Sequence, residues 1–135
     1  MKPFRVPGDP ARAAKDHFTS VLPGLVSGTD PTVGLTVPSG WDKETSPAHV
    51  GVFDDGGPSV WPITTTPRLR VTVWSNSRTR SREIAGLCVG VLLAHRIPGI
   101  AAVTDPSSIL DARDPDNGGH MASITVDAVA RTLAV

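Results

Sequence analysis

Arg78, Arg80 and Arg82 stand at alternate positions where the strongest helical pattern of the chain begins. Cations there face the positive end of the helix macrodipole, at a penalty of a few tenths to about 1 kcal/mol each. Charges placed against a local penalty point to a partner that compensates for it elsewhere. Arg68 and Arg70 precede them, so residues 67–96 hold six arginines against one glutamate, a local +5. Residues 27–57 hold five acids against one lysine, and residues 104–127 five aspartates against one arginine, each a local −4. Separate patches of opposite sign suit a head-to-tail contact between copies, and such contacts form a ring when the rotation closes. On this reading Arg68, Arg70, Arg78, Arg80 and Arg82 carry the basic side of the contact, and Asp111, Asp114 and Asp116 the acidic side. Ordinary solvated faces would explain the same charges without any partner. Nucleic acid is the rival ligand for the arginines, but Trp74 alone lies near them for base stacking.

Other chemistry finds fewer letters to carry it. D-P-D-N-G at residues 114–118 imitates the start of a calcium loop, yet the twelfth position from Asp114 is Thr125 where a bidentate Glu is needed. Turn chemistry explains the same residues. His17, His49, His95 and His120 share no HxxxH or HExxH spacing, and His95 reads as a cation favoured by a helix C-terminus. Cys88 is the single cysteine, which excludes an internal disulfide framework. It falls on an apolar stripe and reads as a small buried hydrophobe. No GxSxG, P-loop or GxGxxG occurs, and the Gly-Gly pairs at 56–57 and 118–119 read as hairpin turns. The expectation is a non-enzymatic protein with no catalytic residues, no metal ligands and no cofactor.

A chain of 135 residues has the length of one domain and can bury about two-thirds of its unfolded surface. Thirteen glycines and thirteen prolines make it turn-rich without reaching low-complexity composition. Thirteen cations balance thirteen anions, which argues against a protein whose main task is neutralising phosphates. The N-terminal MKPFRVPGDP has no apolar core of a signal peptide and no run of 18 apolar residues occurs, so a soluble chain made inside the cell is expected.

The elements that must position the charges follow from pattern. Residues 1–9 read as an arm, and residues 10–135 as a single domain. Asp9 as N-cap and Pro10 as first helical residue open a helix whose stripe is Ala13, Ala14, Phe18, Val21 and Leu22, ending at Pro23-Gly24. Val33, Leu35 and Val37 alternate as a short strand, and Ala48–Phe53 forms a second, closed by the turn letters DDGGP. In RLRVTVW, Leu69, Val71 and Val73 face one way and Arg68, Arg70, Thr72 and Trp74 the other. Ile84, Leu87, Cys88, Val91 and Leu92 mark the second helix, ended by Pro98-Gly99. Residues 104–120 read as a long polar loop, and Ala122, Ile124, Val126 and Ala128 as the last strand. The order α-β-β-β-α-β predicts an α+β fold: a mixed, mainly antiparallel sheet of about four strands with two helices on one face.

Four stretches, taken in order, carry a likeness to a known family. They are LPG at Leu22–Gly24 before a strand ending Val37-Pro38; a strand running into DDGGP at Asp54–Pro58; RVTVWSNSRTRSREIAGL at Arg70–Leu87 with LLAHRIPGI at Leu92–Ile100; and LDARDPDNGGHMASITV at Leu110–Val126. In this order they resemble the tail terminator proteins of long-tailed (siphovirus-type) phages, in particular those of actinobacteriophages. The likeness spans residues 10–132, and each motif alone is strand, turn or helix grammar. It implies a mixed sheet with helices packed on it and a homohexameric ring. Such rings cap the last ring of tail-tube subunits, stop its growth and present a head–tail joining surface. The implied partners are further copies of the chain, the major tail-tube protein and a neck or head-closure protein. DNA passes through the lumen without sequence recognition, no membrane is involved, and the place of residence is the virion neck after assembly in the host cytoplasm. No interface residue transfers by signature, and the absence of tyrosine leaves few aromatic anchors. A compact domain of this length is roughly 36 Å across, so six in contact enclose a hole as wide as one of them, enough for a duplex. The alternatives are another neck component, such as a head-closure or connector protein, and a small nucleic-acid-binding regulator.

Overall fold

The computed structural model describes residues 4–61 and 63–134. Strand β1 (Arg5–Val6) leads into helix α1 (Pro10–Val21), followed by a 3-10 turn at Leu22–Gly24. Then come β2 (Thr32–Gly34), β3 (His49–Asp54), β4 (Ser59–Val60), β5 (Thr64–Thr65) and β6 (Arg68–Ser75). Helix α2 (Arg78–Ala94) precedes β7 (Ala102–Thr104), β8 (Leu110–Arg113), β9 (His120–Arg131) and β10 (Leu133–Ala134). The class is α+β, with a mixed and mainly antiparallel sheet. The strand count exceeds the four expected: among the described residues eight strands share one sheet, and β1 and β10 form a separate ribbon.

Helix α1 starts where the sequence places it. The Asp9 side chain accepts a hydrogen bond from the Arg12 amide at 3.0 Å, and Pro10 takes the first helical position. Its inner face, Ala11, Ala14 and Phe18, meets Ile84, Ala85, Cys88, Val91 and Leu92 of α2 over the sheet in one core. The sheet presents Val50 and Val52 from β3, Leu69, Val71 and Val73 from β6, and Ala122, Ile124 and Val126 from β9. Register explains why these share a face: Val52 lies opposite Val71, and Val71 opposite Ile124. Each such residue, fully buried, contributes roughly 1.5–3 kcal/mol.

The extra strands have two sources. β5 and β6 share one register against β9, with Thr65 opposite Ala130 and Arg68 opposite Asp127. They are one strand interrupted at Thr66-Pro67, because proline lacks the N–H that the ladder requires. The Pro67 carbonyl still accepts from the Ala128 amide at 3.0 Å. β4 folds back on β5, so β3–β4 and β5–β6 form one long hairpin whose tip carries Val60, Trp61 and Ile63.

The second source corrects the expected loop at 104–120. β7 and β8 lie end to end along the free edge of β9, Thr104 opposite Asp127 and Leu110 opposite Ser123. Between those pairs the edge advances six residues while β9 advances four, a bulge. Asp105 takes a positive φ of 53° within it. Ser107 bridges the gap: its amide donates to the Thr125 carbonyl, and its hydroxyl accepts from the Thr125 amide, both at 2.9 Å. β2 is shorter than the Val33–Val37 alternation suggests and runs parallel to β3. Residues 5–6, read as an arm, pair antiparallel with residues 133–134.

Candidate inter-subunit surface

The start of α2 is tied down by serines. Ser77 caps the helix, accepting from the Arg80 amide at 3.1 Å. Ser81, fully buried, donates to the His120 carbonyl at 2.7 Å and lies 2.6 Å from the Ser75 hydroxyl. Ser75 in turn donates to the Ser77 carbonyl. One hydroxyl relay therefore joins the end of β6, the start of α2 and the start of β9, and it fixes which way the helical arginines project.

The arginines do not project together. Arg78 and Arg82, one turn apart, grip the two carboxylate oxygens of Asp111 at 2.8 and 2.9 Å. β8 brings Asp111 there, opposite Ala122 and so on the helix side of the sheet. The hydrogen bond from Arg82 is the chief reason the Asp111 carboxyl lies below its ordinary range; exposure is too full for burial to reverse it. Arg80 points the other way and donates to the Ser27 and Thr29 carbonyls. Arg68 bonds Asp127 at 2.9 Å and Thr125 at 2.8 Å, and its hydrogen bond holds Asp127 low. Arg70 lies 4.4 Å over the Phe53 ring and 3.2 Å from Asp55.

The expected separation of a basic 67–96 patch from an acidic 104–127 patch is therefore corrected. Residues 29 and 33 positions apart in sequence meet at Asp111, because β8 runs beside β9 and under the start of α2. The compensation for cations at the helix N-terminus lies within the chain. Exposed pairs of this kind contribute little to stability, but they occupy the charges.

Asp114 and Asp116 sit elsewhere, on the turn before β9. Asp114 accepts from the Trp74 indole at 2.9 Å and from the Asp116 amide at 2.8 Å. Partial burial pushes its carboxyl up, yet the Asp116 amide, the Trp74 indole and Asn117 outweigh that and hold it low. The Asp116 carboxylate makes no ion pair among the described residues. Across from this turn lies the segment 37–44, and the two enclose a cleft of about 760 Å³ lined by Asp42, Glu44, Asp114, Asp116 and one cation, Lys43. Trp41 holds the cleft together: its indole donates to the Pro47 carbonyl at 3.0 Å. A Cβ at Gly119 would fall 2.7 Å from its ring, so that glycine is required by close approach.

Sequence reading missed three features. The convergence of Asp42 and Glu44 with 114–117 carries no local signal in the sequence. The hairpin tip exposes Val60 (63%), Trp61 (54%) and Ile63 (65%), with Leu133 (56%) nearby, because the Ile63 carbonyl accepts from the Thr132 amide at 3.0 Å. The VWPI string after DDGGP was the available sign. His17 and His95 also meet, ring nitrogens 2.9 Å apart, joining α1 to the end of α2.

Cys88 is buried, and burial pushes its thiol up to about 12. Among the described residues no group of three or more His, Cys, Asp or Glu is arranged to hold a metal ion. None of the described helices is long and apolar enough to cross a membrane. No protein-family model matches the chain, and no curated protein matches it.

Proposed function

We propose that the chain is a structural, non-enzymatic virion protein whose copies close into a ring that caps the tail tube, ends its polymerisation and offers the head–tail joining surface. The observation that carries this reading is the pairing of the four-stretch likeness with a mixed sheet bearing two helices on one face. The likeness to tail terminators implies such an arrangement, though β2 ends at Gly34 and not at Val37-Pro38, and β8 lies within the Leu110–Val126 stretch. Exposed apolar side chains at the hairpin tip supply a second support, since clustered large apolar groups on a small domain mark contact sites.

In this reading the ring is hexameric, its partners are the tail-tube protein and a neck protein, and it resides at the virion neck. Arg68, Arg70, Arg78, Arg80, Arg82 and Asp111 already hold partners within the chain. The Asp116 carboxylate holds no ion pair among the described residues.

Electron microscopy of the purified protein, with and without tail-tube subunits, tests the function. Closed rings alone, and rings at one end of tubes of bounded length, are expected. Tubes that grow unchecked in the presence of the protein would overturn it. Binding to portal complexes instead of tubes would move the chain to the connector alternative.

A further inference from the structure

Once the internal ion pairs are set aside, the remaining charge is polarised along β9. This strand has twelve residues and so spans about 36 Å. At its start stand Asp42, Glu44, Asp114 and Asp116 around the 760 Å³ cleft, against Lys43, Arg113 and Arg80, the last bound to the Ser27 and Thr29 carbonyls and in no ion pair among the described residues. Arg113 is already bound to the Gly118 carbonyl. At its end stand Arg96 and Arg131, both exposed and neither in an ion pair among the described residues. They share a shallow cleft with Leu133 and Asp9, the latter already engaged by Arg12. Arg5 lies at the same end, donating to Thr132.

The apolar tip belongs to this basic end, because Thr64 lies opposite Arg131. One end of the molecule thus holds an acidic cleft, and the other two exposed arginines together with an apolar hairpin tip. We infer that these two ends are the two halves of one contact: the Arg96–Arg131 end of one copy seats in the Asp42–Asp116 recess of the next. A contact between unlike ends is heterologous and repeats with every added copy. Opposite charge sets its orientation and like charge rejects end-to-like-end encounters. A nucleic acid is the poorer occupant of the basic end, since phosphate binding needs a row of cations and here two arginines without ion pairs among the described residues share a cleft with Leu133, with Arg5 held by Thr132 beside them. The inference deepens the ring reading and rests on it for closure, but not for the contact itself.

Sedimentation velocity on the full chain tests it, over a concentration series at low salt and at about 0.5 M salt, where screening reaches within roughly 5 Å. Wild type is expected to associate, and less so at high salt. Arg96→Glu/Arg131→Glu and Asp42→Arg/Asp116→Arg should each associate at least about ten-fold more weakly, a loss near 1.4 kcal/mol, with unchanged circular dichroism. Mixing the two variants should restore association, because the reversed ends now complement each other. Variants that associate like wild type, a mixture that does not recover, or a wild type that stays monomeric throughout would each overturn the inference. Closed rings in unaffected variants would leave the ring standing and remove this contact from it. Open chains that depend on these charges would keep the contact and remove the ring. Tight duplex binding lost in Arg96→Glu/Arg131→Glu would reassign the arginines to nucleic acid and overturn the inference as well.

Discussion

Around the start of β9 the polar groups are engaged within the chain: Ser81 with His120, Trp74 with Asp114, Arg78 and Arg82 with Asp111, and Arg80 with Ser27 and Thr29. Around its end Arg96 and Arg131 lie exposed beside Leu133, and the tip of the long hairpin carries Val60, Trp61 and Ile63 into solvent. The two regions have similar letters and opposite behaviour. A charge becomes available to a partner only if no carbonyl or carboxylate of its own chain is delivered within about 3 Å, and that delivery depends on which strands lie side by side. Most of the groups at the start of β9 accordingly hold shape, and what is left over for a partner there is the acidic cleft, whereas at its end the arginines and the hairpin tip lie open.

Substitutions that break this contrast should differ in size. The largest effect is expected from Ser81→Val, which removes the hydroxyl that donates to the His120 carbonyl and meets the Ser75 hydroxyl, and adds bulk at a buried site. Leaving buried polar groups unpaired costs about 1–3 kcal/mol, readable as a lower urea midpoint with an unchanged slope. Acid comes next. His49 bonds Thr32 and Thr36 at 2.7 and 2.6 Å, and burial lowers its pKa from 6.5, more than the Thr36 carbonyl raises it. The folded state then takes up a proton less readily than the unfolded chain. Stability is full above 6.5 and falls as pH drops through the depressed value; His49→Gln should flatten that limb in thermal melts at stepped pH.

A smaller change is expected from Asp111→Asn. The Asp111 carboxyl titrates below its ordinary 3.8, so its contribution is present above that value and is lost as pH falls through the lowered one. The variant should melt slightly earlier at neutral pH and match wild type under strong acid, the difference shrinking with added salt. The smallest effect belongs to Arg131→Glu at the far end, which should leave the unfolding free energy, read from a urea titration, within about 0.5 kcal/mol of wild type. A large loss of stability there would erase the distinction between the two ends.

Much of this frame is legible from residue pattern. Asp9-Pro10 sets the start of α1, and the alternations Leu69, Val71, Val73 and Ala122, Ile124, Val126 name the core strands by their helix-side face, while on the opposite face of β6 Thr72 and Trp74 are buried as well. Ile84, Cys88, Val91 and Leu92 do the same for α2. β8 escapes because Leu110–Arg113 is exposed throughout and no burial imprints an alternation on it. β4 and β5 escape because two residues have no period. The arginines and aspartates are legible as types, but their partners are chosen by β8 docking along β9, a long-range event with no local trace. The acidic recess is hidden for the same reason: each of its loops, taken alone, is an ordinary turn.

Cys88 offers a last consequence. A thiol sealed in the core and reluctant to ionise reacts with an alkylating reagent only when the whole domain opens. The native chain therefore carries its own clock for global unfolding, and the pace of its alkylation, compared before and after assembly, would report how strongly neighbours restrain each copy without any label being introduced.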